Sequence, residues 1–267
     1  MTDPTWNGEA DPVQDVSSLF SHRLGWPVRF KCPKHLTGGA LEVLAGEYDP
    51  HLTQIAPTWN PYVLDIGANV GAFALWVRHK WPNARISSFE PNPRAFEVLE
   101  ENRALAGGAW EAHRIGIGGG GAAIAQLYPG RGNLGEASIH PDVGGCRDDE
   151  AVSIVLQDAA LLPSAQIVKV DTEGCEVEIL DRYLSTHTTM PTLVLLEFHR
   201  TIDRLVLEEL LAWHGLALMR GFVLSPVRGT LMFARTRETA LRARVPGDLE
   251  ELRARVAHVA GLITPAP

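Results

Sequence analysis

Two stretches late in the chain set acids and a histidine where a proton or a metal ion could be handled. Val168-Lys169-Val170-Asp171-Thr172-Glu173-Gly174 puts two carboxylates at the end of an apolar run, and Leu195-Leu196-Glu197-Phe198-His199 ends in a carboxylate and an imidazole. Side chains alternate along a strand, so Glu197 and His199 share a face, beside Asp171 if the two strands are neighbours. The trio then has two uses. His199 can remove a hydroxyl proton while Asp171 and Glu197 orient the groups, or all three can ligate a divalent ion that acidifies the hydroxyl. The plain alternative is a strand end reaching water with an incidental polar pair.

A second constellation lies upstream, in Val63-Leu64-Asp65-Ile66-Gly67-Ala68-Asn69-Val70-Gly71. It reads as a short strand, a glycine turn and a helix start, which lets backbone approach a ligand closely and aims helix N–H groups at it. Dinucleotide sites use G-x-G-x-x-G, whereas Ala68-Asn69-Val70 separates Gly67 from Gly71, which counts against a nicotinamide cofactor. A carboxylate at Asp65 would attract a cationic amino-acid group and repel a pyrophosphate, favouring a ligand with a methionine-like end. Glu90 closes the next strand, where it can accept from two ribose hydroxyls; otherwise it is a solvated carboxylate before a helix.

These residues need a scaffold of alternating strands and helices. Strands are expected at 63–66, 85–89, about 111–117, 152–156, 166–171 and 193–198, with helices at 70–80, from Pro93 toward Asn102, at 176–184 and at 201–213. Such alternation implies a mainly parallel sheet. Leu216 to Met219 and Thr230 to Ala234, joined through Pro226 and Gly229, should add an antiparallel edge hairpin. Residues 1–16 read as a loose tail, 17–60 as an N-terminal cap, 61–236 as the main domain and 237–267 as a helical extension. In that extension Leu249, Leu252, Val256 and Val259 form one stripe and Glu251 pairs with Arg255, a helix packed on its own domain or, alternatively, a homodimer contact. The Gly116 to Gly121 run is expected to be a mobile loop, since no Lys-Ser or Lys-Thr follows it as in a phosphate cradle.

Composition narrows the partners. With 32 acids against 24 Lys and Arg, a net charge of −8 has the wrong sign for a nucleic-acid partner. Cys32, Cys146 and Cys175 suit reduced thiols better than a disulfide framework or a zinc knuckle. No signal-like start or long apolar run is visible, so a cytoplasmic protein without a membrane partner is expected.

The blocks Gly46-Glu47-Tyr48-Asp49, Val63 to Gly71, Phe89-Glu90-Pro91-Asn92-Pro93, Val168 to Leu180 and Leu195 to His199 together resemble FkbM-family methyltransferases over roughly residues 40 to 235. The most specific block is Lys169 to Leu180, similar to the family's K-x-D-x-E-G-x-E segment. The resemblance implies a Rossmann-like class I methyltransferase, α/β, with a mostly parallel seven-stranded sheet, an antiparallel edge hairpin and a small N-terminal cap. It implies S-adenosylmethionine held by Asp65, Gly67, Asn69, Gly71 and Glu90, with Tyr48 closing over it and Asp171 facing cofactor or acceptor. It also implies O-methylation of a small hydroxylated molecule or sugar, for which the convergence of His199, Glu197 and Asp171 offers the catalytic group, with a divalent metal held by the same three as the variant. Leu156-Gln157-Asp158 departs from the family's usual Leu-Asp-Asp-like stretch. Cofactor binding without turnover, and a nicotinamide-dependent oxidoreductase, are the competing functions.

Overall fold

The computed structural model describes residues 12–48, 58–128, 130, 134–141, 151–238 and 249–263. The cap begins with β1 (Val13–Asp15), α1 (Ser17–Leu24), β2 (Lys31–Pro33) and α2 (Thr37–Leu44). The loose tail expected up to residue 16 therefore stops short, because β1 pairs antiparallel with β2. All three β1 residues are exposed, so backbone pairing holds them and no apolar pattern announced it. Phe20 and Phe30, fully buried and stacked at 5.7 Å, anchor the cap to the domain.

Beyond the cap come β3 (Tyr62–Ile66), α3 (Ala72–Lys80), β4 (Arg85–Phe89) and α4 (Pro93–Leu105). Asn92 caps α4 by accepting from the Arg94 N–H at 3.1 Å, and Pro93 takes the first helical position, where its missing N–H costs nothing. Then follow β5 (Glu111–His113), β6 (Gly116–Gly118), β7 (Ala123–Leu127), β8 (Val152–Asp158), β9 (Ile167–Val170) and α5 (Glu176–Thr186). The chain continues through β10 (Leu193–Phe198), α6 (Thr201–Trp213), β11 (Ala217–Ser225), β12 (Arg228–Ala234) and α7 (Leu249–Ile263).

Seven strands form the main sheet in the order β11-β12-β10-β9-β3-β4-β5. The five from β10 to β5 are parallel, and the β11–β12 hairpin runs antiparallel at one edge. One face of the sheet packs Leu64, Val168, Val194 and Leu196 against α5, α6 and α7. The other packs Val63, Ile167, Leu193 and Leu195 against α3 and the cap. Period-two alternation therefore delivers Asp65, Lys169 and Glu197 to the cap face, and that fact builds the site.

Three expectations change. The stretch at 111–117 divides, since β5 stays in the main sheet while β6 leaves it to pair with β8 in a three-stranded sheet of order β6-β8-β7. The glycine run is a packing seam over its first part, where a Cβ on Gly116 would lie 2.5 Å from Leu156 Cδ2 and one on Gly119 2.4 Å from the Glu178 Cβ on α5, whereas Gly120 and Gly121 are exposed with open space around them. Strand β11 is longer than expected and carries irregularities between Leu218 and Arg220 and between Val223 and Ser225. Helix α7 packs on its own domain, against α6, with Leu252 and Val256 buried and Arg253 bonded to Glu178 and Glu250. The side chains of Val259 and Arg255 are outside what is described, and Cys146 and Asp49 lie outside the described residues altogether. Cys32 and Cys175 are free and buried. Among the described residues no helix is long and apolar enough to cross a membrane.

Candidate active site

From β3 the chain builds outward through β4 and β5 on one side, and through β9 and β10 on the other. The crevice at the carboxyl ends of β3 and β9 is thus the topological switch point where open α/β sheets take ligands. The glycine turn lies there, with Gly67, Asn69 and Gly71 at φ of 76°, 49° and 86°. A Cβ on Gly67 would lie 1.7 Å from the Asp171 carbonyl oxygen, so only glycine lets the turn rest on the end of β9.

Glu90 stitches this turn to α4. Its two oxygens accept from the Asn69 and Asn92 backbone N–H groups, each at 2.8 Å. Burial pushes its carboxyl up to about 7 against the pull of those two amides. The Asn69 side-chain oxygen is buried and has no partner.

Asp65, expected at the cofactor, lines neither of the hollows described below. It is wholly buried beneath the turn, because β4 and β9 flank it with Ser88 and Lys169 in the same cross-strand row. Ser88 donates to it at 2.9 Å, and Lys169 Nζ lies 3.5 Å away. Burial raises the Asp65 carboxyl, with Lys169 and Ser88 opposing. Lys169 Nζ also donates to the Gly67 carbonyl oxygen and lies 3.5 Å from Asp171. Burial pulls this ammonium down, yet Asp171, Asp65, Glu90 and Glu197 together outweigh it, so Lys169 stays charged.

Asp171, Glu197 and His199 converge, as β9 and β10 are neighbours. His199 Nε2 lies 3.9 Å from Asp171 and 3.8 Å from Glu197. Two further acids stand closer. Glu173 makes an ion-pair contact at 3.1 Å to Nε2, and Glu176 meets Nδ1 at 3.2 Å. Glu176 is wholly buried at the start of α5, where it also accepts from the Thr172 and Gly174 N–H groups. Glu173 reaches inward from a backbone φ of 56°, a conformation costly for a residue with a side chain.

The imidazole is buried, which works against its charge, but Glu173 and Glu176 override this and lift it to about 11. At neutral pH His199 is therefore a cation without a free lone pair, unsuited to the general-base role expected of it. Glu197 is different. Burial and the Asp171 charge raise its carboxyl to about 7, with His199 and Arg228 opposing. Arg228 on β12 bonds Glu197 directly and lies 3.7 Å from Glu173 and 3.9 Å from Glu136. A three-ligand metal set also exists, but it consists of Asp171, Glu173 and His199, whose ligand atoms lie within 4.8 Å of one another, with Glu173 in the place expected for Glu197.

Two hollows adjoin these groups. A cleft of about 730 Å3 opens between α2 and the β11–β12 hairpin, with Glu47, Tyr48, Asn69, Asp171, Glu197 and Phe222 in its walls. Burial is the main cause that lifts Glu47 to about 7. Tyr48 is buried and meets Phe73 edge-on at 5.5 Å. A smaller cavity of about 70 Å3 lies between the end of β4 and the small sheet, walled by Phe89, Glu90, Ile117, Ile154 and Leu156. Gly67, Asn69, Gly135, Asp171 and Glu173 line both. His199 lines neither.

Lys169, Glu173, Glu176 and Arg228 are the functional residues that sequence reasoning missed. The acids of the Lys169 to Leu180 block were visible as residue types; that two of them clasp His199 depends on the turn at Glu173 and the start of α5. Arg228 had no local signal, because only the hairpin register brings it to Glu197.

The strand order, with its antiparallel hairpin and its acid-bearing crevice at β3 and β9, defines a Rossmann-like class I methyltransferase fold. The Methyltransferase FkbM domain matches residues 65–223, more than half of the chain, and the protein belongs to that family. Methyltransferase sdnD of Sordaria araneosa is 48% identical over 46 residues, 17% of this chain and 18% of that protein. Hexuronic acid methyltransferase AglP of Haloferax volcanii is 28% identical over 160 residues, 55% of this chain and 60% of that protein. The match spans less than two thirds of these relatives' lengths. The crystal structure of a methyltransferase FkbM from Methylobacillus flagellatus aligns with a TM-score of 0.44 and 16% identity, covering 65% of this chain and 43% of that one.

Proposed function

We propose that the chain is an S-adenosylmethionine-dependent O-methyltransferase acting on a small hydroxylated molecule or a sugar. The observation that carries this reading is the acid-floored cleft of about 730 Å3, which meets the glycine turn at the switch point and falls within the range of ordinary ligand sites, roughly 300–1,000 Å3. The residues beside it fit the cofactor. The unpartnered Asn69 oxygen offers an acceptor to the amino-acid ammonium, and Glu90 keeps lone pairs for ribose hydroxyls beyond the two amides it holds. Phe89, Ile117, Ile154 and Leu156 give the adenine an apolar slot, which must widen from its 70 Å3 to admit a purine. Tyr48 walls the cleft from the cap side.

Bound S-adenosylmethionine supplies a methyl group already activated on a cationic sulfur, so the protein's tasks are alignment and proton removal. Asp171 stands in the partition between the two hollows, where it can orient the acceptor hydroxyl toward the cofactor side. Glu197 takes the proton, its raised carboxyl being matched to neutral pH. Charged His199 fixes Glu173 and Glu176 and lends its field to both working carboxylates. The hexuronic acid named for the Haloferax relative supports a sugar-like acceptor.

Melting curves with S-adenosylhomocysteine and with NAD test the cofactor: the first should raise the melting temperature and the second should not. In Gly67→Ala the shift with S-adenosylhomocysteine should disappear, since the new methyl group drives the turn off Asp171. A retained shift would show that the turn does not hold the cofactor.

The Asp171, Glu173 and His199 set favours a second reading, in which a divalent ion replaces the imidazole proton. Methyl transfer before and after exhaustive chelation separates the two. The carboxylate-base reading expects unchanged rates, and loss of rate restored by Mg2+ or Mn2+ would establish the metal.

A further inference from the structure

The cleft contains a cationic side chain that no other described residue pairs with. Lys169 is engaged by the glycine turn, Asp65 and Asp171, and Arg228 by Glu197, Glu173 and Glu136. Arg220 on β11 lines the same cleft, is half-buried, and among the described residues has no hydrogen bond or ion pair. Sheet register places it closely. One cross-strand row runs Asp65, Lys169, Leu195, Met232, Arg220, and Arg220 is its outer end. One rung toward the cleft floor, Glu197, Thr230 and Phe222 form a row of their own. Arg220 thus lies two strands from β10, about 10 Å across at ordinary strand spacing. A guanidinium side chain on that site leaves room for a compact molecule between its tip and the carboxylate floor.

We infer that Arg220 binds a carboxylate on the methyl acceptor, which makes the acceptor a compact hydroxy acid such as a sugar acid. This rests on reading the cleft as the acceptor site. A guanidinium fork matches a carboxylate with two parallel hydrogen bonds. A phosphate monoester fits less well, because its second charge would meet one free cation in a cleft that also holds Glu42, Glu47, Asp171, Glu173 and Glu197. Phe222 and Leu224, on the same strand and strongly exposed at the rim, give such an acceptor an apolar surface for whatever its acid group leaves uncovered.

Titration calorimetry of the full chain saturated with S-adenosylhomocysteine tests this with p-nitrophenyl β-D-glucuronide, p-nitrophenyl β-D-glucoside and glucose 6-phosphate. The glucuronide should bind about tenfold tighter than either other probe. Arg220→Gln should bring it level with the glucoside, Arg220→Lys should keep part of the preference, and both variants should bind S-adenosylhomocysteine as the parent does. Equal binding of glucuronide and glucoside, binding of neither, preference for the phosphate, or an unchanged preference in Arg220→Gln would each overturn the inference. If S-adenosylhomocysteine itself fails to bind, the cofactor reading beneath it falls as well, and that failure is seen separately.

Discussion

In Glu197→Gln, kcat should fall by about a hundredfold to ten-thousandfold, the usual worth of a positioned proton acceptor, while S-adenosylhomocysteine affinity holds. The amide keeps the shape of the side chain and a contact for Arg228, but it cannot take a proton. The pH profile gives the sharper readout. A carboxyl raised to about 7 is protonated and idle below that pH and ionised above it, so the parent rate should climb toward neutral pH and then level. Glu90 and Glu47 sit near the same value, so the variant makes the assignment: the residual rate of Glu197→Gln should no longer follow this limb. A variant that keeps both its rate and the limb would return the proton to another group. His199, lifted to about 11, would produce a limb far more alkaline.

Lys169→Met should be the most destabilising single change in the site. It leaves Asp65, with no exposed surface, facing only the Ser88 hydroxyl, and it removes the donor that pins the Gly67 carbonyl. Breaking one side of a buried ion pair costs about 3–5 kcal/mol, a fall in melting temperature on the order of 10 °C for a chain of this size. Adding Asp65→Asn should restore part of the loss, because the uncompensated charge is then gone. Thermal melts of the single and double variants check this, and a Lys169→Met protein that melts with the parent would show that the ammonium is not needed to neutralise Asp65.

Much of the scaffold was legible because the parallel strands are buried on both faces and read as apolar runs. Tyr62–Ile66, Ile167–Val170 and Leu193–Phe198 have this character, and Asn92-Pro93 marks the start of α4. The convergence of Asp171, Glu197 and His199 was legible too, from period-two alternation on neighbouring strands. The protonation of His199 was not, since it depends on Glu173 at a positive φ and Glu176 at a helix start, both far from it in the chain. The burial of Asp65 beside Lys169 was hidden for a related reason. Sequence fixes which face of the sheet a residue takes, but whether that face meets a ligand or a lysine depends on Lys169 one strand over. The parting of β5 from β6 was hidden as well, because the bond partners of Gly116–Gly118 lie forty residues downstream, at Leu156 to Asp158.

The two hollows share five lining residues, Gly67, Asn69, Gly135, Asp171 and Glu173. A ligand pressing on these residues from one hollow moves or stiffens atoms that line the other. Under the proposed assignment of the hollows to donor and acceptor, the two sites should be thermodynamically linked, and reciprocally so: whatever factor the donor contributes to acceptor affinity, the acceptor returns to the donor. If the small cavity takes the donor as proposed, it must widen from about 70 Å3 to do so, and the same movement should reshape the wall that the acceptor would meet in the larger cleft.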